Sequence, residues 1–250
     1  MTSTTFIHHE DMKTNESTIT FVSLGIGDPE LITLKAYRAL QQADVIYTPA
    51  TRRKDGTFSS RAGEIMTALL PGAPLKYVDI PMVPDRSRII PVYERMKEEA
   101  AADSAAGKTV VVAVEGDVSI YASVHYVAQM LMEEGRQVDA IPGIASFIGA
   151  AADRRLSLIS GEERLLVLPG NFEGNELHDK RNVVVVMKLS RCEQAVKTFL
   201  AEHPDTVCHY FENVGLPQRY HTESIEEILQ RPFPYFSLLV MKNAPEIAPR

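Results

Sequence analysis

Strand-like and helix-like stretches alternate along nearly the whole chain, which predicts an α/β fold. Two of the strand-like runs sharpen the prediction. Residues 18–24 end in Gly25-Ile26-Gly27-Asp28, and residues 109–114 end in Glu115-Gly116-Asp117. In an open α/β sheet, ligands bind beyond the carboxyl ends of strands, where glycine lets the backbone approach them closely. The two Gly-Asp turns are therefore read as a matched pair of binding edges, each opening a helix.

The elements follow in order. After the first turn, Leu31, Leu34, Tyr37 and Leu40 recur at helical spacing. A short strand at 45–47 ends at Pro49, and 51–60 is a polar loop carrying Arg52, Arg53 and Lys54. Residues 61–70 read as helix and 75–78 as strand. An irregular stretch containing Arg86 precedes a long Ala/Glu-rich helix over 89–106, stopped by Gly107. The strand 109–114 leads through the second turn into a helix over 121–134, closed by Gly135. Residues 138–141 form a strand running into Pro142-Gly143, followed by a small apolar helix over 144–152. Strands at 164–168, 182–187, 206–211 and 235–241, with a helix at 191–202, complete the pattern. The pattern restarts after the second turn. This divides the chain into a disordered lead (1–17), an N-terminal domain (18–117), a C-terminal domain (118–243) and a tail (244–250).

Composition narrows the function. The chain has 250 residues, 45% of them hydrophobic, and no run approaches the ~20 apolar residues needed to span a bilayer. A net charge of −7 disfavours nucleic acid as a partner. The two cysteines, Cys192 and Cys208, form neither a CxxC pair nor a zinc framework, which points to a reduced cytoplasm. The seven histidines are scattered without ligand spacing, so no metal site is expected.

Phosphate is the obvious ligand for such turns, and the residues argue against it. A dinucleotide fingerprint needs a third glycine where Glu30 stands, and the Gly-Lys-Ser/Thr of a P-loop is absent. Carboxylates following the glycines would repel a phosphate approaching the same amides. A cationic ligand, or one offering amines and hydroxyls, fits better. Asp28 and Asp117 read equally well as simple helix caps.

Three blocks in register carry a resemblance. They are residues 23–36, Ser-Leu-Gly-Ile-Gly-Asp-Pro-Glu-Leu-Ile-Thr-Leu-Lys-Ala; residues 116–121, Gly-Asp-Val-Ser-Ile-Tyr; and residues 142–146, Pro-Gly-Ile-Ala-Ser. In order and spacing the chain resembles the tetrapyrrole methylase family from about residue 18 to 242. Looser matches, such as Val185-Val186-Met187-Lys188 and residues 212–217, resemble the subgroup that methylates C20 of precorrin-2 or cobalt-factor II. Three positions depart from the family pattern. Ser23 replaces a usual glycine, and Ile26 and Val118 replace usual prolines.

The resemblance implies two αβα domains with mostly parallel sheets and a cofactor cleft between them. It implies S-adenosylmethionine as methyl donor, a small tetrapyrrole as substrate, and a homodimer. Gly116, Asp117, Ile120, Ala145, Ser146, Met187 and Gly215 would bind the cofactor. Gly25, Gly27, Arg52, Arg53 and Arg86 would face the tetrapyrrole and its carboxylates, as would Lys54 and Arg88. A base is useful for removing the meso proton. Asp28 and Tyr121 are the candidates, Glu115 is the runner-up, and His125 is read as structural.

Overall fold

A computed structural model of the chain describes residues 18–81 and 86–243. The expected lead, the tail and the side chain of Arg86 lie outside the described residues. The first sheet contains β1 (Ile19–Ser23), β2 (Val45–Arg52), β3 (Phe58–Ser59), β4 (Leu75–Asp79), β5 (Val110–Val114) and β6 (Val138–Ile141). Its parallel body runs β4-β2-β5-β1-β6, and β3 pairs antiparallel with the distal end of β2. Helices α1 (Leu34–Gln41) and α2 (Arg61–Leu69) cover one face; α3 (Ile90–Ala105) and α4 (His125–Glu133) cover the other. Alternate residues of each central strand enter opposite cores. Phe21, Val110 and Val112 pack with Met96 and Leu131, whereas Val22, Val111 and Ala113 pack with Leu40 and Met66. Burial on both faces is why residues 110–114 are apolar without alternation.

The second sheet holds β7 (Arg164–Leu168), β8 (Asn182–Met187), β9 (Val207–Glu212), β10 (Tyr220–Thr222) and β11 (Ser237–Lys242), in the order β10-β9-β11-β8-β7. Helix α5 (Ser146–Arg154) packs on one face through Phe147 and Ala150. Helices α6 (Glu193–Glu202) and α7 (Ile225–Gln230) pack on the other through Val196, Leu200 and Ile228.

The two-sheet α/β architecture agrees with the sequence reading, and several details differ. The expectation of mostly parallel sheets holds for the first and fails for the second, where only β7 and β8 pair in parallel. The reason is topological. β11 runs opposite to both β8 and β9 and fills the slot between them. β6 pairs with β1, so the first sheet continues past the break expected at 117–118. β2 runs through Pro49 because its ladder to β5 ends at Tyr47, leaving the proline paired only toward β4. Neither Gly-Asp turn opens a long helix directly. Asp28 precedes a single 3-10 turn over Pro29–Leu31, and α4 starts at His125 because Tyr121 is left-handed, at φ 52°. The short elements β3, β10 and α7 had no periodic signal in the sequence.

Candidate functional site

The carboxyl ends of the adjacent strands β1 and β5 bring the two glycine turns together, and they bond to each other. Gly25 N–H donates to Gly116 O (3.1 Å) and Gly116 N–H to Gly25 O (2.7 Å). The Pro142-Gly143 turn after β6 is tied on by Asp117, whose Oδ2 accepts from Gly143 N–H (2.8 Å). Asp117 Oδ1 accepts from Ser119 N–H (2.8 Å) and from the Ser119 hydroxyl. Burial pushes the Asp117 carboxyl up, yet these hydrogen bonds together hold it below its ordinary range. The three motif blocks thus form one hydrogen-bonded wall.

Two departures from the family pattern are absorbed in this wall. The Oγ of fully buried Ser23 accepts from Val118 N–H (2.9 Å), satisfying a buried donor. Ile26 is buried against Gly149 of α5 and Gly215 of the loop after β9. A Cβ at Gly215 would lie 2.3 Å from Ile26 O, and its φ of +81° disfavours any side chain. Leu216 reaches the first turn at Gly27 in the same way. The loops of the two halves therefore interlock around Ile26.

Between the halves lies a cavity of about 190 Å³. Its walls include Gly25, Ile26, Gly116, Asp117 and Ile120 from the first turns, Ala145 and Ser146 from the start of α5, and Met187, Lys188, Val214, Ser237 and Leu238 from the second sheet. Arg61, Glu115, Tyr235 and Phe236 form its remaining side and also line a second hollow of about 420 Å³. That hollow is rimmed by Thr51, Ser59 and Ser60 beside the β2–β3 hairpin.

Glu115 occupies the shared wall. Its carboxylate lies 3.1 Å from Arg61 Nε, and the guanidinium stacks over the Phe236 ring at 3.9 Å. Burial pushes the Glu115 carboxyl up to about 7; Arg61 opposes this and Glu64 adds to it. A buried carboxyl of raised proton affinity at the junction of two cavities is a candidate general base.

Of the seven residues proposed for a cofactor, six line the first cavity: Gly116, Asp117, Ile120, Ala145, Ser146 and Met187. Gly215 stands behind Val214 and locks the loop. Of the residues proposed for substrate, Gly25 is a cavity wall and Gly27 packs against Leu216. Arg52 pairs with Asp79 (3.1 Å), and Arg53 donates to Ser59 Oγ (3.1 Å), both on the exposed hairpin above the second hollow. The two foremost candidates for a base lie outside both cavities. Asp28 Oδ1 accepts from Glu30 N–H (3.0 Å) as a cap. The Tyr121 hydroxyl donates to Val167 O (2.6 Å), which ties the connecting segment to β7. His125 begins α4 and lines neither cavity.

Sequence reasoning did not single out Arg61 or the Tyr235–Phe236 pair, and it placed Glu115, which lines both cavities, behind Asp28 and Tyr121. Arg61 follows the cap residue Ser60 and looks like any first-turn residue of a helix. The exposure of both rings, 49% and 41%, marks them only once the fold is known.

Comparison with known proteins identifies the family and the fold. The family Tetrapyrrole (Corrin/Porphyrin) Methylases matches residues 18–229. The chain is 30% identical over 228 residues to a precorrin-2 C(20)-methyltransferase of Sinorhizobium sp., covering 88% of this chain and 93% of that one. It is 25% identical over 232 residues to the cobalt-precorrin-2 C(20)-methyltransferase of Salmonella typhimurium, covering 91% and 97%. The fold matches that of a uroporphyrin-III C-methyltransferase from Thermus thermophilus, solved with S-adenosyl homocysteine. Its TM-score is 0.63 at 21% identity, covering 90% of this chain and 97% of that one.

Proposed function

The chain belongs to the tetrapyrrole methylases, and from that premise we propose that it is an S-adenosylmethionine-dependent C-methyltransferase of corrinoid biosynthesis. Its substrate is precorrin-2 or its cobalt-containing counterpart, and the methyl group goes to C20. One observation carries the reading: six residues named for a methyl donor from motif resemblance converge on a single cavity that opens beside a larger one. The full-length relatives support the C20 position.

The residues fit the donor. Open space lies at the Cα of Gly116, Ser146 lines the cavity, and Asp117 supplies a carboxylate on the same wall. When bound, S-adenosylmethionine supplies an electrophilic methyl group. The chain's own work is then positioning, exclusion of water and removal of a proton. The bonded turns hold the donor side rigid. Phe236 and Tyr235 present apolar faces shared by both hollows. Glu115 accepts the proton released from the methylated meso carbon, with Arg61 stabilising the carboxylate beforehand. Arg52 and Arg53 meet substrate carboxylates. The exposed Arg52–Asp79 pair is worth little by itself and is readily exchanged.

The protein acts in the cytoplasm as a homodimer whose second subunit helps wall the tetrapyrrole hollow. Among the described residues, no helix is long and apolar enough to cross a membrane. Sedimentation that finds only a 27.8 kDa species at micromolar concentration refutes the dimer.

Titration with S-adenosylhomocysteine in a calorimeter tests the donor site. No heat at near-millimolar ligand removes it. Labelled donor incubated separately with precorrin-2 and cobalt-factor II then tests turnover and identifies the substrate. Binding without transfer to either one marks a non-catalytic homologue.

A further inference from the structure

Far along the chain from the turns, the β9–β10 hairpin forms the outer edge of the second sheet. His221 pairs with Phe211, so His209 and Glu223, two residues away on either strand, fall on the same face. His209 Nδ1 lies 3.3 Å from Glu223 Oε1, and His221 Nε2 lies 3.8 Å from the same oxygen. Nδ1 of His209, Nε2 of His221 and the carboxylate all fall within 4.8 Å of one another. The two imidazoles stack at 5.8 Å and are 12% and 11% exposed, whereas Glu223 is 64% exposed. Both inward-facing nitrogens are buried and lack a partner in hydrogen-bonding geometry. Buried imidazole nitrogens left in this state call for an explanation.

We propose that His209, His221 and Glu223 form a binding site for one divalent transition-metal ion of the zinc class. Two imidazoles and one carboxylate suit such an ion, with a solvent molecule completing the tetrahedron. Ligand atoms about 2 Å from a tetrahedral ion stand roughly 3.3 Å apart, close to the separations from Glu223. The exposed carboxylate is the arm that swings to complete the set. Asp153, Arg154 and Arg219 border the same edge, where Asp153 lies 3.4 Å from Arg154 Nε and 3.6 Å from Arg219 Nε. The site fastens an edge hairpin, and its role is structural. Scattered histidines had argued against any metal; the hairpin register is what gathers two of them.

The test uses the full chain, stripped with chelator and titrated calorimetrically with zinc chloride. One ion per chain is expected. His209→Gln and His221→Gln should each weaken binding about tenfold or more. Glu223→Gln should weaken it as well, and its exposed position leaves folding intact if the histidine variants misfold. Cobalt(II) loading should produce visible absorption in the parent protein that His221→Gln loses. A variant lacking His8 and His9 should bind as the parent does. The proposal is overturned if the chain binds no zinc, if Glu223→Gln binds as the parent, or if binding disappears with His8 and His9.

Discussion

The two Gly-Asp turns look alike in sequence and do different work. Both follow a buried parallel strand and both carry an aspartate after glycine. The first aspartate, Asp28, stays local and caps one 3-10 turn. The second, Asp117, reaches across 26 residues to Gly143 and holds the cavity wall together. The residue that follows each strand also differs. Leu24, after β1, is fully buried in the core, whereas Glu115, after β5, enters the wall shared by two cavities. Equivalent backbone positions thus acquire different surroundings: Arg61 of α2 and Phe236 of the second half pack around the second turn.

Glu115→Gln tests this most severely. It should lower methyl transfer by about 10²–10⁴-fold while S-adenosylhomocysteine still binds. The limb of the pH–rate profile near 7 should vanish with it. Stability supplies an independent reading. The folded Glu115 carboxyl binds its proton more tightly than the ordinary value of 4.5. The native state therefore holds more protons than the unfolded chain between about 4.5 and 7, and the parent loses stability as pH rises through that window. The melting temperature of Glu115→Gln minus that of the parent should grow from pH 5 to pH 8. A flat difference would place Glu115 outside a buried site.

Asp117→Ala should have the next largest effect. Losing its bonds to Ser119 and Gly143 orphans backbone donors and loosens the wall, at a cost of about 1.5–3 kcal/mol in stability. S-adenosylhomocysteine affinity should fall by a comparable amount. Thermal melts and calorimetry on the same preparation separate the two. Unchanged affinity in a destabilised protein would confine Asp117 to folding.

The smallest effect belongs to Asp28→Ala. Removing a cap costs about 1 kcal/mol, and neither donor binding nor transfer should change more than a few-fold. A collapse of transfer without loss of stability would restore Asp28 as the base and erase the contrast between the turns.

Much of this was legible in the residues. The apolar run at 110–114 requires a strand covered on both faces, and β5 is buried throughout. The glycine motifs identified a wall whose geometry needs them. Legibility failed where one residue's meaning depends on a distant one. Ser23 and Ile26 depart from the family pattern. In the fold, Ser23 serves Val118 and Ile26 fills the space left by Gly149 and Gly215.

The sequence by itself determined the α/β class, the family and six of the residues that line the first cavity, because periodicity and close-approach glycines are local requirements on the backbone. Tertiary structure alone decided that the second sheet is mostly antiparallel, that β6 belongs to the first, and that Glu115 rather than Asp28 or Tyr121 stands at the junction. Those outcomes depend on burial and on partners distant in the chain, 54 residues away in the case of Arg61 and Glu115. A carboxyl group's proton affinity is set by the dielectric and charges around it, and both are fixed only when the folded chain buries Glu115 beside Arg61 and Glu64.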